Sequence, residues 1–97
     1  MATGNYFAYI TTNPTKTVLY TGMTNDLYSR IKQHYENRGN PKTFAGKYYC
    51  YNLVFFERHG TAMAAIDREK EIKGWSRSKK FKLIRSINPS LSFLKDF

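Results

Sequence analysis

The stretch Leu19–His34, Leu-Tyr-Thr-Gly-Met-Thr-Asn-Asp-Leu-Tyr-Ser-Arg-Ile-Lys-Gln-His, restricts the fold more than any other part of the chain. It reads as the end of a strand, a glycine turn and a helix beginning near Thr24 or Asn25. Either residue can cap the first free backbone N–H groups of that helix. At about 100° per residue, Leu27, Arg30, Ile31 and His34 fall on one arc. Leu27 and Ile31 must face a core, which carries Arg30 and His34 along its edge. A guanidinium there is costly unless it has a partner or lines a cleft. The arrangement points to a site.

Upstream, Tyr6–Thr11 is rich in β-formers and reads as a first strand. Thr12-Asn13-Pro14-Thr15-Lys16 is a turn, and Thr17–Tyr20 resumes extended chain that Gly22 ends. The two strands make a hairpin, whose pairing can bring Tyr9 and Tyr20 to one side. The first helix runs to about Glu36 or Asn37. Arg38–Lys47 holds Gly39, Asn40, Pro41 and Gly46, and reads as a basic, mobile loop. Within 48–57, the continuous apolar run from Leu53 marks a third strand, expected to be central and covered on both faces.

Thr61 caps a second helix that Gly74 closes. Ala62, Ala65, Ile66 and Ile72 mark its buried side, and Glu69 projects between Ala65 and Ile66. Asp67 and Glu71 point outward, so Glu69 is the exception on this helix. A third helix spans roughly Arg77–Ile87, with Phe81, Ile84 and Ile87 inward and Pro89 as its stop. Leu91–Phe97 is apolar enough to dock. The expected fold is α+β: a small three-stranded, largely antiparallel sheet flanked by about three helices in the order ββαβαα. At 97 residues, positions 1–97 read as one domain.

Hydrophobic residues make up 41% of the chain, which suits a folded protein rather than a disordered one. No apolar run approaches a membrane span, and Met-Ala-Thr-Gly-Asn has no signal-peptide pattern. Cys50 is the one cysteine, so an internal disulfide is excluded and a reducing compartment, the cytoplasm, is expected. Sixteen Lys and Arg against seven Asp and Glu leave a net charge of +9, which favours polyanions. From Lys73 to Arg85 there are six basic residues and no acidic one. Such a local face points to nucleic acid; no strongly apolar helix face accompanies it to favour a membrane surface. Lys79, Lys82 and Arg85 lie away from the apolar stripe of their helix. With Lys42 and Lys47 of the basic loop, they are candidate phosphate contacts.

A carboxylate among apolar residues needs a metal, a cation or a proton. For Glu69, periodicity leaves two readings open: an inert buried ion pair with Arg30, or a metal-centred site. His34 and the tyrosines carry less weight alone, because the chain has eight tyrosines and most serve packing.

Together these residues carry a resemblance. Tyr9 in Phe7-Ala8-Tyr9, and Tyr20-Thr21-Gly22 ten intervening residues later, resemble the paired motifs of the GIY-YIG nuclease family. The likeness continues through Gly22–Leu27, Arg30 and His34, and through Ala65-Ile66-Asp67-Arg68-Glu69. Lys73-Gly74-Trp75-Ser76-Arg77 and Asn88-Pro89 are similar to segments of the small stand-alone members, the UPF0213 type. Phe7, Ala8 and Thr21 depart from the family motif but leave both tyrosines and Gly22 in place.

The resemblance implies a divalent-metal-dependent endonuclease cutting DNA phosphodiester bonds, in a structure-specific role in repair or recombination. RNA is the alternative substrate. Glu69 would hold one Mg²⁺ or Mn²⁺, and Arg30 would neutralise charge on the phosphoryl oxygens. Tyr9 or Tyr20 would orient or deprotonate the attacking water, His34 would share that task or contact a phosphate, and Gly22 and Asn88 would be supports. Two other functions fit the same scaffold: a catalytically idle nucleic-acid-binding module, and an interaction domain with a structural Arg30–Glu69 pair.

Overall fold

Tyr6–Thr12 forms β1, and five of its seven residues, Ala8 to Thr12, are fully buried. That pattern belongs to a strand with neighbours on both edges and layers on both faces. The computed structural model describes residues 4–97; residues 1–3, part of the stretch lacking a signal-peptide pattern, lie outside the described residues. After β1 come β2 (Leu19–Thr24), α1 (Leu27–Glu36), α2 (Phe44–Lys47), β3 (Asn52–His59), α3 (Ala62–Lys73) and α4 (Arg77–Ile87). The sheet is antiparallel throughout, in the order β2-β1-β3. The α+β class and the three-stranded antiparallel sheet are as the sequence implies, with one extra short helix. Among the described residues, no helix is long and apolar enough to cross a membrane.

The strand order corrects one expectation, because β1 is central and β3 lies at an edge. The apolar run of β3 has another cause. A register shift between Ile10 and Thr11 pairs Ile10 with Phe55 and Thr11 with Leu53. Val54 is thereby the extra residue of a bulge, and both Val54 and Phe55 enter the same cluster. The open side of β3 is covered by the segment after α4. Leu94 N–H donates to Leu53 O at 2.7 Å, and Asn88 Nδ2 donates to Val54 O at 2.9 Å.

Apolar side chains form two clusters on opposite faces of the sheet. One gathers Ile10, Val54, Phe55, Ile72 of α3 and Ile84 of α4. Each of those isoleucines is fully buried, and full burial contributes about 1.5–3 kcal/mol per side chain. The other gathers Tyr9, Leu53 and Leu27, with Ile31 of α1 against them. Ile87 is not an inner residue of α4. It is the last residue of that helix, beyond the sheet, and is 62% exposed, while Leu83 packs on the core instead.

Local chemistry sets the boundaries. Asn13 Oδ1 accepts the N–H groups of Thr17 and Val18, so the turn runs further than expected and β2 begins at Leu19. Thr24 belongs to β2, and its Oγ1 accepts from Asp26 N–H. The cap of α1 is therefore Asp26, which accepts from Ser29 N–H at 3.1 Å. Thr61 and Ser76 cap α3 and α4 in the same manner. Arg68 bridges Glu57 of β3 (2.6 Å) and Glu71 (2.8 Å), tying α3 to the sheet.

Candidate active site

In the β1–β2 register Tyr9 lies opposite Gly22, and Thr11 lies opposite Tyr20. Residues two apart share a face, so the two tyrosines are diagonal neighbours, with ring centroids 6.3 Å apart. From α1, His34 completes a triangle. Its ring is 5.8 Å from Tyr9 and 5.3 Å from Tyr20, edge-on to the latter, and its Nε2 is 2.7 Å from the Tyr9 hydroxyl. Tyr9 is fully buried beneath a cavity of about 200 Å³ lined by Tyr20, Arg30, Gln33, His34, Asn37 and Phe44.

Gly22 is required by space. A Cβ there would fall 2.5 Å from the Tyr9 hydroxyl oxygen and 2.6 Å from its Cζ. The ring is enclosed and bonded to His34, so it cannot swing aside freely. Gly22→Ala is expected to cost about 1–3 kcal/mol, the range for overpacking, and to break the Tyr9–His34 contact. Thermal unfolding and the His34 ring resonances check this; an unchanged melting temperature would show that Tyr9 yields without cost.

Burial foremost, then Tyr20, with Glu69 adding to them, pushes the Tyr9 pKa well above the usual phenol range; Arg30 opposes the rise. His34 is pushed down to about 4, by burial and then by the Arg30 charge. At neutral pH both side chains are therefore uncharged, and the imidazole tautomer decides which one donates.

The shift of His34 has a sign that can be measured. In the unfolded chain its imidazole takes up a proton near pH ~6.5, in the folded protein only near about 4. Between those values the unfolded state binds more protons, so stability falls as pH drops from ~6.5 towards 4. Urea unfolding at neutral pH and near pH ~5 should show His34→Gln losing less stability than the wild type across this window. Equal losses would remove His34 from the acid-sensitive groups.

Glu69 is carried by α3, which packs on β1 and β2, near enough for its charge to act on the Tyr9 phenol. Its side chain is 19% exposed and pairs with Lys73 Nζ at 3.1 Å, one turn along the same helix. Lys73, not Arg30, is thus the ion-pair partner of Glu69 among the described residues. Asn88 stands apart from the cluster: it caps α4 and clasps Val54 O and Ser92 O, both at 2.9 Å, so its support is to the fold.

The basic residues separate into two groups. Lys79 and Lys82 line a groove with Trp75, and Lys79 Nζ lies 4.3 Å from the Trp75 ring. Arg85 is exposed, with its guanidinium 5.3 Å from the Phe81 ring. Lys42 and Lys47 are exposed on the segment that holds α2. Arg77 and Lys80 of the basic run border Phe44, and Gln33, Asn37 and Phe44, which the sequence does not single out, join the cavity wall. Phe44 sits on α2, where the sequence reads as loop. The available signal was Thr43, whose Oγ1 caps that helix by accepting Gly46 N–H at 3.0 Å.

Known proteins resemble this chain in sequence and fold. A UPF0213 protein of Staphylococcus aureus strain Mu3 is 37% identical over 67 residues, 69% of this chain and 79% of that protein. Its counterpart in strain Mu50 matches to the same extent. The solution NMR structure of a UPF0213 protein from Bacillus halodurans superposes with a TM-score of 0.56 at 28% identity, covering 89% of this chain and 88% of the other. The family model described as the GIY-YIG catalytic domain matches residues 5–82. That span takes in Tyr9, Tyr20, Gly22, Arg30, His34 and Glu69, and the chain belongs to this nuclease-like family.

Proposed function

We propose that the cluster hydrolyses phosphodiester bonds in DNA with the help of one hard divalent cation, Mg²⁺ or Mn²⁺, held by Glu69. The observation that carries this reading is the Tyr9–His34 contact of 2.7 Å beneath a cavity walled by Arg30, with the Glu69 charge acting on the same phenol. The donor set fits such an ion. Glu69 keeps 19% of its side chain exposed, and its half-exposed partner Lys73 can swing into solvent and release the carboxylate to an ion. Among the described residues, no three His, Cys, Asp or Glu side chains converge. A single carboxylate suits a cation that keeps its waters and takes further ligands from phosphate; it does not suit tetrahedral zinc. When bound, the ion polarises the scissile phosphate and stabilises the leaving oxygen.

The remaining work falls to the chain. Arg30 faces the phosphoryl oxygens and offsets the charge that grows on them. Tyr20, which lines the cavity, orients the attacking water above the buried Tyr9 hydroxyl. With His34 in its Nδ1–H form, the water proton passes to the Tyr9 oxygen while the Tyr9 proton passes to His34 Nε2. Tyr9 ends neutral and His34 ends as imidazolium. A phosphodiester against Arg30 cancels part of the charge that depresses His34, so substrate makes the imidazole more basic and favours the imidazolium that forms. Tyr20, edge-on to His34, holds the imidazole in place. Lys42, Lys47, Lys79, Lys82 and Arg85, joined by Arg77 and Lys80, supply sequence-independent phosphate contacts.

Purified protein incubated with labelled branched, duplex and single-stranded DNA, and with RNA, tests the proposal. Cleavage of DNA in Mg²⁺ or Mn²⁺ that stops in chelator is the expected result. Binding without cleavage in any divalent metal would overturn it and leave an idle nucleic-acid-binding module.

A further inference from the structure

The aromatic side chains beside the cavity do not end at Tyr20. Phe44 lies over Tyr20 at 6.3 Å with the rings inclined by only 28°, and Tyr48 follows at 4.8 Å from Phe44. These outer rings are 52% and 41% exposed, so much of their apolar surface remains in water. The rings are also firmly mounted. Gly46 brings α2 so close to the end of α1 that a Cβ there would meet the carbonyl oxygens of Asn40 and Asn37 at 2.6 and 2.8 Å. Gly39 N–H and Cys50 N–H bond back to Gly46 O and Ala45 O.

Cations flank the ladder on both sides. Phe44 is a shared wall of the Arg30 cavity and of a second cavity, about 210 Å³, bordered by Arg77 and Lys80. Lys47 Nζ lies 5.3 Å from the Tyr48 ring. Rings this exposed, with positive charge at either hand and a Lys47 ammonium over Tyr48 that can move to a phosphate, match a nucleobase with a phosphate on each side of it. Bases inside a duplex already have both faces covered by their neighbours, so such a platform accepts an unpaired or extruded one.

We propose that Phe44 and Tyr48 form a stacking site for an unpaired nucleobase next to the scissile phosphate, which makes DNA with locally unpaired nucleotides the preferred substrate. The inference rests on the nuclease reading of the adjoining cluster for the word scissile, and on the ladder for the base. Ring faces discriminate poorly among the four bases, so the preference is for unpairing and not for sequence.

Three fluorescein-labelled duplexes test it: one fully paired, one with a single unpaired thymine, and one with an abasic nucleotide in place of that thymine. Binding is measured in chelator and cleavage in Mn²⁺. The unpaired thymine is expected to bind about tenfold more tightly than the abasic control, the lower part of the range for one base stacked on an aromatic ring. Tyr48→Ala and Phe44→Leu should each erode that ratio, and the double variant should bring it to unity. Phe44→Trp should keep it. Tyr48 is exposed and its ring meets Phe44 rather than Tyr20 among the described residues, so Tyr48→Ala reports on stacking even if Phe44→Leu disturbs its neighbour. Equal binding of thymine and abasic duplexes by the wild type, or a ratio untouched in Tyr48→Ala and the double variant, would overturn the stacking site. Base preference in chelator without cleavage in Mn²⁺ would support the stacking site and overturn the nuclease reading. Cleavage without base preference would do the reverse.

Discussion

Glu69→Gln is expected to abolish metal-dependent cleavage while leaving the fold and metal-free DNA binding intact. The substitution keeps the shape and hydrogen-bonding capacity of the side chain and removes its charge. Its structural cost is small, because half-exposed Lys73 stays hydrated when the pair is broken, and a neutral amide costs less to bury than a carboxylate. Metal-free binding should tighten, since a negative charge has left a site that receives phosphate. The variant also separates two roles. Glu69 raises the Tyr9 pKa, but Tyr9 both accepts and donates a proton in the relay, so a change in its acidity alone would not abolish the reaction. A loss of cleavage therefore reports the cation-holding role. Full activity in Glu69→Gln, measured by gel assay in Mg²⁺ and in Mn²⁺, would sink the assignment.

Arg30→Ala is expected to lower kcat by a factor on the order of 10²–10³, the range for loss of one preorganised charge stabiliser, with a much smaller change in KM. Removing the guanidinium also removes one of the two causes that hold His34 down to about 4. Titration of the His34 ring by NMR should therefore show a higher pKa in the variant, independent of any turnover. If affinity falls and bound substrate reacts at the usual rate, Arg30 is a positioning residue.

Most of this site was legible because its parts lie on regular elements. Arg30 and His34 follow from the helical period of α1 read against Leu27 and Ile31. Glu69 follows from the period of α3 between Ala65 and Ile72. The hairpin that brings Tyr9 beside Tyr20 follows from Asn13, Pro14 and β-formers on either side. What escaped has local causes. Four residues of α2 are too few to carry a period, so Phe44 vanished into a loop. The apolar run of β3 resembles a central strand because a bulge at Val54 and a docked segment cover what alternation would have exposed. Periodicity could not tell that Ile87 ends α4 beyond the core. The partner of Glu69 was also beyond reach, because an i,i+4 lysine and an arginine on another helix satisfy a carboxylate equally well in one dimension.

The segment after α4 has a consequence separate from chemistry. An edge strand with apolar side chains and unused backbone groups is a template on which a second chain can pair. Here Asn88 and Leu94 engage Val54 and Leu53, where the apolar run of β3 begins. The clasp thus occupies backbone acceptors that a second chain would otherwise use. Damage to Asn88 would then appear as lost solubility and low yield, with catalytic constants unchanged in whatever protein remained dispersed. A colony or expression screen would misread such a variant as inactive.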